Sequence, residues 1–406
     1  MEHIRLGDAC TKIGSGSTPK GGKEAYQGGG FKLVRSQNVL DLKFSRDGLA
    51  EINKEQADKL QNVELRKGDV LLNITGDSVA RSCIVPESIL PARVNQHVAI
   101  IRPKEDVLNS YYLLCYLQLT KDYLLALANA GSTRNALTKQ MIENLVIPAI
   151  PIHTQHKIAS ILSNYDTLID FNTKRIKLLE ESARELYKEW FVRMRFPGNE
   201  QTKFVKGIPE GWKYSSLQDF GRIETGKTPS MEKPEYYGGD YLFIKTPDMH
   251  DSMFVLDTTE TLSEAGNNCQ RNKLLPVNSI MVSCIGSTGI GAVAINAKQG
   301  HTNQQINSII LYNQEWLTWL YFTCESLKPT IEMYGATGST MTNLSKGKFE
   351  NLKVIEPTVD IIRQFNKLES PLFEEIKNLQ LQNQNLAATR DRLLPRLLSG
   401  ELKVKA

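Results

Sequence analysis

The sequence predicts an α/β (α+β) chain: two similar mixed α/β domains separated by two long antiparallel coiled-coil helices, with a pseudo-two-fold relation left by internal duplication. Three observations predict it. The chain repeats itself at an offset near 210 residues, short β-type runs punctuated by Gly, Pro and Asn fill each copy, and seven-residue apolar repeats close each copy. A period this long is too great for a solenoid and marks a duplicated domain.

The repeat begins early. GSTPKGGKEAYQGGGFKLVRSQNV (16–39) aligns without a gap with GKTPSMEKPEYYGGDYLFIKTPDM (226–249). Gly16/Gly226, Thr18/Thr228, Pro19/Pro229, Tyr26/Tyr236, Gly28/Gly238 and Gly29/Gly239 coincide, and Arg35 faces Lys245. VLLNITGDS (70–78) falls on IMVSCIGST (280–288), NQHVAII (95–101) on NQQINSI (303–309), and NLVIP (144–148) on NLKVI (351–355). The β-type runs are FKLVRS, DVLLNIT and HVAIIRP in the first copy and YLFIKT, SIMVSCIG and NSIILY in the second. A helical stretch follows in each, at 109–127 and 314–327. The domains are expected at 1–152 and 198–357, with helices at 153–197 and 358–406.

In the first helix Ile169, Ile176, Ala183 and Trp190 recur every seven residues, interleaved with Asn172, Leu179, Leu186 and Arg193. In the second, Leu372, Leu379, Leu386 and Leu393 alternate with Ile376, Asn383, Arg390 and Leu397. An offset of 207 superimposes the two registers, Leu179 on Leu386 and Leu186 on Leu393. Such heptads bury one seam against a partner helix, and the other copy's helix is the nearest partner. A helix from Gln155 to Arg195 would be ~60 Å long, a spacer between the domains. Pro371 is expected to break or kink the second helix.

GRIETGKTPS (221–230) matches the G-x-x-x-x-G-K-[ST] pattern of a phosphate-binding loop. Its context opposes that reading. KYSSLQDF before it is not a buried apolar strand, and Pro229, Pro234 and Gly238–Gly239 leave no room for the helix whose N-terminus would hold phosphate. The first copy reads GSGSTP there, without a lysine, so GKT is one version of a repeated Gly-x-Thr-Pro turn.

With 41% hydrophobic and 23% charged residues the composition is that of a globular protein, and the net charge of +4 permits a nucleic-acid partner without demanding one. No apolar run reaches a membrane span and the N-terminus has no signal-peptide pattern, so a cytoplasmic protein is expected. The six cysteines are scattered without a CxxC pair and are expected to be free thiols in a reducing compartment. His153 and His156 lack nearby ligand partners and are expected at a helix start; no metal site and no cofactor is expected.

The order of parts resembles the DNA-specificity subunit of type I restriction-modification systems. Each half opens with Gly-x-Thr-Pro and a Tyr-x-Gly-Gly turn and closes in a heptad helix; Pro-Glu-Gly-Trp (209–212) and PAIPIHTQHKIASIL (148–162) resemble that family too. The resemblance implies a non-catalytic protein with two target-recognition domains, each reading half of a split, asymmetric site in double-stranded DNA. It implies helices that set the spacing and dock two methyltransferase (modification) subunits, which carry S-adenosylmethionine, with restriction subunits completing the nuclease. A protein-interaction scaffold and a nucleotide-binding protein are the alternatives.

Base reading needs Arg, Lys, Asn or Gln at groove edges, and phosphate contacts from basic and hydroxyl side chains hold the register. Lys20, Lys23, Lys227 and Lys233 are the expected phosphate contacts, with Arg35 and Lys245 at the ends of matching strands. The polar loops RVNQH (93–97), HTNQQ (301–305), GSTRN (131–135) and GATGST (335–340) add Arg93, Asn95, Gln96, His301, Asn303, Gln304, Arg134, Asn135, Ser339 and Thr340. Arg175, Lys177, Arg184 and Lys188 on the first helix are expected partner-subunit contacts.

Overall fold

The computed structural model describes residues 2–19, 26, 28–129, 135–250, 252–286, 289–335 and 342–404. The chain divides into two compact units, residues 1–168 with 386–406, and residues 169–385. Each unit therefore holds one copy of the duplicated domain together with part of each long helix.

In the first unit, β-branched and aliphatic runs form a four-stranded antiparallel sheet in the order Cys10–Ser15, Val98–Pro103, Val70–Asn73, Ser82–Ile84. A second sheet joins Ala50–Ile52, Phe31–Val34 and Ala92–Val94, the last two running parallel. The second unit repeats this plan. Gly221–Thr225, Ile306–Leu311, Ile280–Ser283 and Val293–Asn296 follow the same order, extended by Phe254–Val255. Thr261–Leu262, Tyr237–Ile244 and Gly300–Thr302 form the three-stranded sheet, again with one parallel pair. The strands Val70–Asn73 and Ile280–Ser283 are buried at every position, and each is apolar up to its last residue, Asn73 or Ser283.

The predicted helices after these sheets are Ser110–Leu119 with Lys121–Asn129, and Leu317–Ser326. Asn109 starts the first by accepting hydrogen bonds from the backbone N–H groups of Tyr111 and Tyr112 at 3.0 Å each. Pro-Glu-Gly-Trp is an anchor: Gly211 adopts φ +86°, and buried Trp212 packs on Phe196 with ring centroids 5.0 Å apart.

The central helix spans Ile152–Tyr187 and closes in a π-helical turn, Lys188–Val192. The C-terminal helix spans Val359–Leu398. Within the second unit they pair antiparallel: the Asn172 amide donates to Asn383 Oδ1 at 3.0 Å, Arg175 pairs with Glu375 at 2.8 Å, and Ile176, Ala183 and Trp190 are buried with Phe365, Ile376 and Leu379. Burying each large apolar side chain of this seam contributes about 1.5–3 kcal/mol. Within the first unit, Ile158 and Leu162 share a core with Leu397 and Leu398, and Arg390 pairs with Asp166, which also accepts from the Tyr111 hydroxyl. The helix is unbroken at Pro371, correcting the expected break. Pro371 is exposed, while Phe365, Phe373 and Ile376 on either side are buried and offset the ~3 kcal/mol a helical proline costs.

All six cysteines are free; Cys269 is exposed and the others are buried. Burial pushes the Cys83 and Cys115 thiols up to about 12, which makes them core fillers with little thiolate character.

Candidate nucleic-acid interface

The repeated Gly-x-Thr-Pro turn is explained by what lies beneath it. A Cβ on Gly16 would stand 2.1 Å from the Val94 carbonyl oxygen and 2.3 Å from that of Asn95; on Gly226 it would stand 2.2 Å from those of Thr302 and Asn303. Only glycine lets the backbone approach so closely. The contact is fixed by hydrogen bonds from Gly16 N to Val98 O at 2.9 Å and Ser17 N to Val94 O at 3.0 Å, matched by Gly226 N to Ile306 O at 3.2 Å and Lys227 N to Thr302 O at 2.9 Å. The turn braces the loop at 94–98 or 302–306. In the second unit it leaves the nucleotide pattern with two N–H groups already bonded, and the strand Gly221–Thr225 runs into a turn region rather than a helix.

The braced loop is itself a repeated device. Asn95 Oδ1 accepts from His97 N at 3.2 Å, and Asn303 Oδ1 accepts from Gln305 N at 3.1 Å, so each asparagine closes a tight turn and lies buried. The loop's next residues, Gln96 and Gln304, remain exposed.

Beside this loop the first unit opens a polar concavity of about 440 Å³ lined by Ser36, Gln37, Thr75, Gly76, Asp77, Ser78, Arg81 and His97. His97 Nδ1 is 2.7 Å from Thr75 Oγ1, and its Nε2 is 3.3 Å from the Gln96 amide nitrogen. An imidazole protonated on Nδ1 satisfies both contacts, leaving the ring fixed between the two loops. The Arg81 side chain is half-buried and in no ion pair or hydrogen bond among the described residues. The segment after GSTRN lies alongside: Leu137 N donates to Ile74 O at 2.9 Å, and Gly76 N to Asn135 O at 3.4 Å. The second unit repeats the arrangement, with Leu344 N donating to Cys284 O at 2.9 Å and Ile285–Gly286 paired with Thr342–Asn343. There the polar groups are Thr228, whose hydroxyl donates to Gln304 Oε1 at 2.6 Å, and Thr246 with Asn303 around Gln305.

Comparison with known proteins gives this duplicated scaffold its family. The model for the type I restriction modification DNA specificity domain matches residues 1–181 and 209–384. The chain belongs to the type I DNA-specificity family. It is 30% identical to the type I restriction enzyme HindI specificity subunit of Haemophilus influenzae, across 91% of this chain and 94% of that one. Identity to the MjaIX specificity subunit of Methanocaldococcus jannaschii is 27%, across 97% and 92%. The solved S subunit from M. genitalium shares the fold with a TM-score of 0.60 at 14% identity, across 98% and 95%. This is a DNA sequence-specificity subunit.

On a specificity subunit the placement of each expected contact residue matters. Gln96, Gln304 and Asn135 are exposed on their loops, and Lys227 is exposed on the bracing turn. Arg35 ends the strand beside the first cleft, its guanidinium 5.5 Å from the Tyr26 ring centroid and bonded to Gly48 O at 2.5 Å. Lys233 is exposed but lies over Tyr236 at 5.2 Å, and Lys245 is held by Glu260 at 2.5 Å. Arg93 and His301 are corrections. Both are buried at the equivalent position of the parallel strand pair. Arg93 bonds the Ala57 carbonyl at 3.2 Å and Glu64 at 3.1 Å, and His301 Nε2 meets Asn267 Oδ1 at 3.0 Å, so each pins a short helix to its sheet. Burial lowers the His301 pKa to about 4, keeping the ring neutral. Asn95 and Asn303 likewise act through their turns. Lys20, Lys23, Arg134, Ser339 and Thr340 lie outside the described residues.

Sequence reasoning passed over Gln37, Thr75, Asp77 and Arg81, and it named the loop RVNQH without singling out His97. Aligning the copies through residue 81 would have exposed Arg81 as a column where the second copy has none. Of the helix cations, Arg175 pairs with Glu375, Arg184 makes a two-pronged contact with Glu325 at 3.0 Å on both arms, and Lys188 pairs with Glu185 at 2.6 Å. Lys177 is exposed and in no ion pair among the described residues. Lys177, Arg184 and Lys188 line a concavity of about 760 Å³ in the second unit, between the central helix and the turn at Gly291–Val293.

Proposed function

We propose that the chain is a non-catalytic subunit whose two domains each read one half of a bipartite, asymmetric DNA site. The observation that carries this reading is one scaffold built twice, with the same braced loop and different side chains around it. Equivalent backbone with unequal polar groups is what two different half-sites require. Lys227, Gln96, Gln304 and Asn135 serve as contacts in this reading, with Arg35, Lys233 and Lys245 at the margins.

The two long helices set the separation of the half-sites and dock the modification subunits, two per complex, and through them the restriction subunits. Exposed apolar residues support docking: Ile161 and Leu168 on the central helix in the first unit, Phe171 and Leu178 in the second. The protein needs no cofactor of its own and acts in the cytoplasm, where the DNA is.

The experiment is co-expression with the modification subunits, followed by genome-wide mapping of methylated adenines. A split asymmetric motif that vanishes when this chain is deleted is the expected result; methylation that persists unchanged would defeat the reading. Inserting four residues into both helices, ~6 Å each, should lengthen the gap in the motif by about two base pairs. An unchanged gap with folded insertions would remove the helices as the ruler.

A further inference from the structure

We infer that the first unit's cleft reads a G·C base pair through Arg81, and that the second unit's half-site carries no such requirement at the equivalent position. This rests on the DNA-reading function proposed above.

The duplication supplies its own control. In the first unit the chain leaves the strand Val70–Asn73 and returns through Ala80 at φ +68°, with Ala80 N donating to Asn73 O at 2.9 Å and Asn73 N donating to Arg81 O at 2.8 Å. In the second it leaves Ile280–Ser283 and returns through Gly291 at φ +74°, with Gly291 N donating to Ser283 O at 2.8 Å and Ser283 N donating to Ala292 O at 2.9 Å. Arg81 and Ala292 therefore occupy one position of one turn. Because Ala292 closes the same hydrogen bonds, the scaffold does not require an arginine there.

The surroundings of Arg81 indicate what it meets. It is half-buried, unpaired among the described residues, and shares the concavity with Asp77, to which it makes no ion pair. A carboxylate in the same cleft repels a phosphate. A G·C pair suits both groups, since guanine O6 and N7 accept from a guanidinium fork and cytosine N4–H donates to a carboxylate. The fixed imidazole of His97 and the loop residue Gln37 form the walls. Thr75 and His97 are replaced by Ile285 and Gln305 in the second unit, so the groups that flank Arg81 are not repeated around Ala292.

The test uses the full complex with modification subunits, carrying wild-type chain, Arg81→Gln or Arg81→Lys, and maps the methylated motif. Exchanging residues 1–152 with those of another specificity subunit identifies the half-site the first unit reads. The wild-type half-site should contain a G·C pair at which both variants lose about tenfold or more discrimination, with the other half-site and the gap unchanged. Lysine keeps the charge but not the fork, so Arg81→Lys should relax that position too. Retained discrimination in Arg81→Lys, with methylation in Arg81→Gln weakened evenly at all sites, would make Arg81 a phosphate clamp and overturn the inference. A half-site without G·C, or relaxation in the other half, would also overturn it. So would a variant that fails to assemble, since Ala292 predicts that the turn tolerates the change. A wild-type complex that leaves no split motif would strike the proposed function itself, and this inference with it.

Discussion

At the turn where the first unit carries Arg81 the second carries Ala292; where the first has Thr75 and His97 the second has Ile285 and Gln305. Beneath these differences the bracing glycine, the asparagine turn and the bond from Leu137 or Leu344 are the same in both. The comparison separates two kinds of residue. Those repeated in kind and contact hold the loops in place, and those that change while the backbone does not are free to answer to a ligand. Arg93 and His301 add a third kind, different side chains that do the same buried work.

The largest expected effect tests the shared brace. Gly16→Ala and Gly226→Ala should each destabilise their unit by about 3 kcal/mol, because the added Cβ meets backbone that cannot move aside. Denaturant unfolding measures it, and a copy that accepts alanine would break the equivalence. Arg93→Ala and His301→Ala should each cost about 2 kcal/mol by stranding a buried acceptor. They should differ in acid. His301 has a lowered folded pKa, so its share of stability is whole above about 6.5 and is lost as the pH falls through about 4. Thermal melts of wild type and His301→Ala between pH 7 and pH 4 should converge.

The helix seam offers the next contrast. By the 207 offset, Leu162 of the first unit corresponds to Glu369 of the second, and both side chains are fully buried. Neither Glu369 oxygen has a hydrogen-bond partner among the described residues, and burial raises its pKa to about 7. A raised carboxyl pKa means the folded chain holds its proton more tightly, so this position is most favourable below about 4.5 and loses stability as the pH rises through 7. Glu369→Leu should therefore stabilise the protein by ~1–3 kcal/mol at pH 8 and much less at pH 5, read as the difference between two melting curves. A gain of equal size at both pH values would assign the effect to packing alone. The smallest effect belongs to Lys227→Ala, an exposed side chain. Its stability should stay within ~0.5 kcal/mol and its DNA affinity should lose about one unit of salt slope, with the motif unchanged.

The duplication was legible in the letters because a repeated backbone needs the same special residues at the same places. Gly16 and Gly226, Asn95 and Asn303, and the heptads from Ile176 to Leu379 all answer to local geometry or to periodicity. Those signals gave the fold class, the strand runs, the two long helices and the rejection of GKT as a nucleotide loop. They also led to the family, now supported by the match over both halves.

What the letters could not decide was direction and company. Arg93 and His301 sit in polar loops and read as surface residues, but the parallel strand pair turns them inward, where Glu64 and Asn267 receive them. Pro371 reads as a helix breaker, but burial of its neighbours on one seam outweighs a local propensity. Arg81 and His97 lie sixteen residues apart and form one cleft only because the strands Val70–Asn73 and Val98–Pro103 are neighbours in one sheet. Composition, periodicity and turn chemistry are properties of neighbouring residues along the chain, so sequence determined them. Which side chains share a cleft, which are buried and which keep an unpaired charge depend on contacts between distant segments, and only the tertiary structure decides those.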